Sequence, residues 1–125
     1  MVIGIGLDLV ETRRVERALA RFGPRFVGKL MDPQEAAALP EAPPERARAL
    51  ARAVAGKEAA SKALGTGWSR GVRWRDVVVT PGPRPRVSLH GRAAAVAREL
   101  GSSGRCRVRL SVQGELTLGE FWLLS

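Results

Sequence analysis

Apolar residues open the chain on both faces of a strand. Val2-Ile3-Gly4-Ile5-Gly6-Leu7 is rich in β-branched residues, and the pattern predicts a buried strand that ends near Asp8. The period then changes from two to that of a helix. Val15, Leu19 and Phe22 recur on one side, with Arg13, Arg14, Arg17 and Arg21 mostly on the other, until Gly23-Pro24 stops the helix. Arg25 to Met31 predicts a second, short helix. Asp32-Pro33-Gln34-Glu35 supplies an N-cap, a Pro at the first helical position and a Glu at the third, so a third helix starts there. After the linker Pro40 to Pro44, the stretch to Gly65 predicts one long helix ended by Gly65-Thr66-Gly67.

The second half reads as shorter elements. Trp74 to Thr80 predicts a strand, Pro81-Gly82-Pro83-Arg84-Pro85 a stiff turn, Arg86 to Leu89 a short strand and Arg92 to Leu100 a small helix. Cys106, Val108, Leu110 and Val112 alternate with Arg105, Arg107 and Arg109, Gly114 marks a turn, and Leu116 to Leu124 returns as the partner of a hairpin.

One residue breaks the pattern of the long helix. Its apolar stripe runs Ala47, Leu50, Ala51, Val54, and the next step lands on Glu58, with Lys62 one turn on. An acid on an inward face needs a cation. Either Lys62 supplies it, or a metal ion does together with a second acid, for which Asp8 at the end of the first strand is the candidate. Both residues also have plain structural readings. Asp8-Leu9-Val10-Glu11 matches a capping pattern for the first helix. Glu58 and Lys62 have the spacing of a helical surface pair, worth about 0.2–0.5 kcal/mol. Glu35 reads as half of its capping box. His90 has no second His to pair with, so neither a His metal site nor a Ser-His-Asp triad can be assembled.

Composition bounds the partners. The 125 residues fit one domain spanning 1–125, and a net charge of +9, from eighteen Arg and three Lys, points to an anionic partner. Arg13, Arg14, Arg17, Arg21, Arg25 and Lys29 make one basic ridge. Nucleic acid is a weaker candidate for it, because aromatic residues are sparse and no helix-turn-helix, zinc finger or P-loop is visible. A lone Cys106 suits a reducing interior, and the apolar opening is too short to span a bilayer. The expectation is a cytoplasmic protein with no membrane partner.

Several of these segments belong together. Gly4-Ile5-Gly6-Leu7-Asp8-Leu9-Val10-Glu11, Arg21-Phe22-Gly23-Pro24-Arg25-Phe26, Lys57-Glu58-Ala59-Ala60-Ser61-Lys62-Ala63-Leu64-Gly65-Thr66-Gly67, Gly71-Val72-Arg73-Trp74-Arg75-Asp76 and Leu89-His90-Gly91-Arg92-Ala93 resemble, in order, the holo-[acyl-carrier-protein] synthase family. The resemblance implies an α+β fold of the 4′-phosphopantetheinyl transferase type, a single domain with an antiparallel sheet packed against a long helix and shorter helices. It implies transfer of 4′-phosphopantetheine from coenzyme A to a serine of apo acyl carrier protein, with release of adenosine 3′,5′-bisphosphate. Asp8 and Glu58 would hold Mg²⁺ against the coenzyme A pyrophosphate, and Lys62 would lie at the phosphates. Gly65, Thr66 and Gly67 and the turn carrying Pro83 and Arg84 would line the coenzyme A pocket. Arg13, Arg14, Arg21 and Arg25 would dock the acidic carrier protein, in a homotrimer with sites between subunits.

Two positions depart from the family pattern. Val112 stands where members carry a histidine near coenzyme A, and Ala53-Val54 where they carry Arg-Phe or Arg-Trp. Those departures motivate an alternative, a non-catalytic relative that binds coenzyme A or carrier protein. The charge alone motivates the other, a basic nucleic-acid-binding module.

Overall fold

A computed structural model describes all residues, Met1–Ser125. β1 (Val2–Glu11) leads into α1 (Thr12–Phe22), α2 (Pro24–Leu30), α3 (Pro33–Ala37) and the long α4 (Pro43–Leu64). A 3₁₀ turn (Trp74–Asp76), β2 (Val77–Thr80), β3 (Arg86–Leu89), α5 (Gly91–Glu99), β4 (Cys106–Gln113) and β5 (Leu116–Leu124) complete the chain. Two antiparallel sheets result, one in the order β1-β5-β4 and one formed by β2 and β3. The α+β class is as expected. No helix is long and apolar enough to cross a membrane.

Missing side chains bring α4 down onto the sheet. A Cβ on Gly4, Gly6 or Gly119 would run into the carbonyl oxygens of Ala63, Ala59 and Ala55, which succeed one another along α4 at four-residue steps. Small residues on both sides allow the closest approach of helix and sheet backbones. Side chains pack around that contact in two groups. Phe121, Leu123, Val77 and Val96 gather on one side, and Val15, Leu30, Leu50 and Val79 on the other. Each such buried side chain contributes about 1.5–3 kcal/mol.

The long helix departs from a single-stripe amphipathic pattern. Ala53, Ala55, Gly56, Lys57, Ala59, Ala60, Ser61, Ala63 and Leu64 are all buried, which puts protein on nearly every side of its C-terminal half. The open strip is Val54, Glu58 and Lys62. This inverts the sequence expectation. Glu58 follows Val54 onto the least covered face, and the fully buried charge is its neighbour Lys57.

β1 also corrects the reading. It does not end near Asp8 but runs to Glu11, and α1 is capped by Glu11 backbone without a side-chain hydrogen bond, so Asp8 is not a cap. Nor is the strand buried on both faces. Ile5, Leu7 and Leu9 are 58%, 54% and 60% exposed. Residues 74–76 form a 3₁₀ turn, and the strand predicted there starts at Val77. The capping box at α3 forms as read, with the Glu35 amide donating to Asp32 Oδ1 over 2.7 Å and the Asp32 amide to Glu35 Oε1 over 3.2 Å.

Candidate functional site

Asp8 and Glu58 arrive at one cleft from two elements. Asp8 lies on β1 opposite Gly119, two residues beyond Gly6, and so shares the strand face that meets α4. Glu58 stands on the open strip of α4. Both line a cleft of about 730 Å³ whose other walls include Val15, Phe22 and Phe26, with Arg14, Arg25 and Lys29 among the lining residues. Lys62 Nζ is 2.7 Å from Asp8 Oδ1, so the lysine pairs with the strand acid and not with the acid on its own helix.

The Glu58 carboxyl is pushed above its usual range. Its partial burial is the main cause and the Asp8 charge adds to it, while the Trp68 indole N–H and the Lys62 ammonium act the other way. Two acids near enough to disturb each other, with one half-exposed ammonium beside them, make an electrostatic arrangement that a cation would relieve. No third His, Cys, Asp or Glu joins them in a metal-ligating group. That suits Mg²⁺, which keeps several waters and substrate phosphate oxygens around one or two carboxylates, and does not suit zinc.

Behind the cleft lies a polar anchor that sequence patterning missed. Lys57 Nζ, with no exposed surface, is 3.0 Å from Glu35 Oε2 and donates to Glu35 Oε1, the Trp74 carbonyl and the Val77 carbonyl. Burial lowers the lysine pKa, while Glu35 pulls in the opposite direction. Glu35 Oε2 also accepts from the Val79 amide over 3.0 Å. Glu35 is therefore far more than half of a capping box. The signal was present in the run of small residues around Lys57, which marks a helix covered on several sides.

The other expected site residues are scattered in the single chain. Arg14 and Arg25 line the cleft, and Arg13 and Arg21 stand exposed on the same pair of helices, Arg21 with its guanidinium 5.2 Å from the centre of the Phe22 ring. Gly65 takes a left-handed conformation to end α4, and the buried Thr66 hydroxyl donates to the Gly67 carbonyl over 2.9 Å. Neither this turn nor Pro83 and Arg84, exposed between β2 and β3, lines the cleft that holds Asp8 and Glu58. Val112 is 52% exposed near the end of β4, whereas Ala53 is packed with Leu50 and Val79.

The chain resembles known proteins over its full length. Residues 4–113 match the family model described as the 4′-phosphopantetheinyl transferase superfamily. A holo-[acyl-carrier-protein] synthase of Alkalilimnicola ehrlichii is 47% identical over 94% of this chain and 91% of its own. The crystal structure of holo-[acyl-carrier-protein] synthase from Neisseria meningitidis superposes with a TM-score of 0.86 at 30% identity, covering 100% of both chains. The holo-(acyl-carrier-protein) synthase of Bacillus anthracis, solved in complex with CoA (3′,5′-ADP), gives a TM-score of 0.76 at 25% identity over 100% of this chain and 98% of its own. The chain belongs to the holo-[acyl-carrier-protein] synthase family of the 4′-phosphopantetheinyl transferase superfamily.

Proposed function

We propose that this protein is a Mg²⁺-dependent holo-[acyl-carrier-protein] synthase, transferring 4′-phosphopantetheine from coenzyme A to a serine of apo acyl carrier protein. The observation that carries the reading is the meeting of Asp8 and Glu58 in one cleft with basic residues along it. Asp8 and Glu58 hold the metal. When bound, Mg²⁺ would neutralise the charge that develops on the bridging oxygen of the pyrophosphate as its bond to the β-phosphorus breaks and it leaves on adenosine 3′,5′-bisphosphate.

The chain's own residues do the rest. Lys62 is half exposed and tied only to Asp8, so its ammonium is free to turn to a phosphate oxygen once that acid has another partner. Arg13, Arg14, Arg21 and Arg25 present a basic face to the acidic carrier protein. Its serine oxygen forms a new bond to the β-phosphorus. Glu35 is committed to Lys57 and to the amides of Asp32 and Val79, so the serine proton passes to a water in the cleft or to Glu58.

The outer face of the main sheet supports a homotrimer. Across the strands, Ile5 stands opposite Trp122 and Trp122 opposite Arg107; Leu9 is opposite Leu118, and Leu7 opposite Glu120. No element of this chain covers Ile5, Leu7 or Leu9, and such a row of exposed large apolar side chains calls for a partner. A second and third copy supply it. A coenzyme A site between copies also accounts for the distance of Gly65 to Gly67 and of Pro83 and Arg84 from the single-chain cleft. With its lone cysteine, the enzyme works in the cytoplasm.

Incubation with coenzyme A, Mg²⁺ and apo carrier protein, followed by mass spectrometry of the carrier, tests the activity. The carrier gains the mass of one phosphopantetheine arm. Binding without any mass gain would instead identify a non-catalytic relative, and undiminished transfer by Asp8→Ala and Glu58→Ala would refute the metal assignment.

A further inference from the structure

Trp68 lies just beyond the turn that ends α4 and stacks on Trp74, with ring centroids 4.0 Å apart and planes 19° from parallel. Its indole N–H is shut off from solvent and has no acceptor, the one buried side-chain polar atom in the chain left unpaired. A phenyl ring would stack on Trp74 as well, so packing accounts for an aromatic at this position but not for the unpaired donor. The Glu58 carboxylate lies within this donor's influence, with no hydrogen bond formed between them. Its position is also fixed. Trp74 lines the cleft beside Glu58, and the Trp74 carbonyl accepts from Lys57 Nζ over 3.1 Å, which ties the stack to the residue preceding Glu58.

We propose that Trp68 is a positioning residue for the metal site, its indole N–H being the donor that one Glu58 carboxylate oxygen takes up while the other faces the cation. The inference rests on the Mg²⁺ reading of Asp8 and Glu58. A carboxylate held by a fixed outer donor presents one oxygen in one direction, and such donors typically change metal affinity 10–100-fold. Because the stack holds the indole in place, the bond forms through rotation of the Glu58 side chain alone. Trp68 touches neither the phosphates nor the carrier serine.

Trp68→Phe keeps the stack and removes the donor. In calorimetric titration of the metal-free full chain with Mg²⁺, this variant binds about 10-fold more weakly than the parent while keeping a thermal midpoint near the parent's. A second measurement follows the parent protein itself. In ¹H–¹⁵N spectra, the Trp68 indole signal, identified as the one missing from Trp68→Phe and retained in Trp122→Phe, moves downfield when Mg²⁺ is added. Equal Mg²⁺ affinity in folded Trp68→Phe, or an indole signal unmoved by saturating Mg²⁺, overturns the proposal and leaves the metal reading standing. A parent chain that binds no Mg²⁺ overturns both.

Discussion

Lys57 and Glu58 are consecutive on α4 and face opposite worlds: the lysine is wholly enclosed with its ammonium 3.0 Å from Glu35, while the glutamate opens on the cleft. The first therefore fixes the second. Lys57 ties α4 to α3 through Glu35 and to the 3₁₀ turn and β2 through the Trp74 and Val77 carbonyls, and any shift of the helix would carry Glu58 with it. Removing one member of a buried pair strands the other, at a cost of roughly 3–5 kcal/mol. Lys57→Met should lower stability by that order in urea unfolding, and Lys57→Met with Glu35→Gln should recover part of it. An unchanged midpoint in the single variant would show that the pair anchors nothing.

Glu58 sets a pH dependence of stability. Its pKa in the folded chain lies above the ordinary value of 4.5, because burial and the Asp8 charge outweigh Trp68 and Lys62. The folded state thus holds this proton more tightly than the unfolded state does. The resulting contribution is present below the ordinary value and is lost as pH rises through the folded one. In metal-free protein, Glu58→Gln should flatten this part of the melting-temperature profile and be the more stable of the two at neutral pH. Mg²⁺ requires the ionised carboxylates, so it should raise the parent's midpoint at neutral pH, have no effect at pH well below the window, and do little for the variant. Melts across pH with Mg²⁺ or with a chelator check both signs.

How legible this was depended on how each segment meets its neighbours. The elements from α1 to α4 and the terminal hairpin followed from local signals: Gly23-Pro24, the Asp32 to Glu35 box, the Gly65 stop and the alternation from Cys106 to Leu110. The resemblance named Asp8 and Glu58, which line one cleft, but the stripe argument for Glu58 failed. It assumed one covered face, whereas the close glycine and alanine contacts bury α4 on several sides and leave the Val54, Glu58, Lys62 strip open. Alanine carries too little hydrophobicity to announce such burial, and a lysine announces the reverse. In the same way, apolar residues on both faces of β1 read as burial within one chain, although Ile5, Leu7 and Leu9 stay uncovered in it.

The glycines that admit α4 to the sheet make a sharp prediction. A methyl group at Gly6 collides with the Ala59 carbonyl oxygen, which belongs to rigid helix backbone and cannot swing aside. Gly6→Ala should push α4 away from β1 and separate Asp8 from Glu58. Stability should fall by about 1–3 kcal/mol, as overpacked cores do, with a disproportionate loss of transfer activity. Gly28→Ala is the control. Nothing lies near its added Cβ, and its φ is ordinary, so the variant should match or exceed the parent in both measurements.

Leu9 tests the assembly without touching the core of the single chain. At 60% exposed it contributes little to folding alone, yet it lies beside Leu118 on the uncovered sheet face. A lysine there can keep its ammonium in water in the monomer, but in a trimer that buries this face it would have to be desolvated without a partner. Leu9→Lys should therefore sediment as a monomer where the parent sediments as a trimer, with circular dichroism unchanged. On the proposal that the coenzyme A pocket is built between copies, transfer should drop with the trimer even though Asp8, Glu58 and Lys62 remain in place. A monomeric variant of full activity would place the whole pocket within one chain.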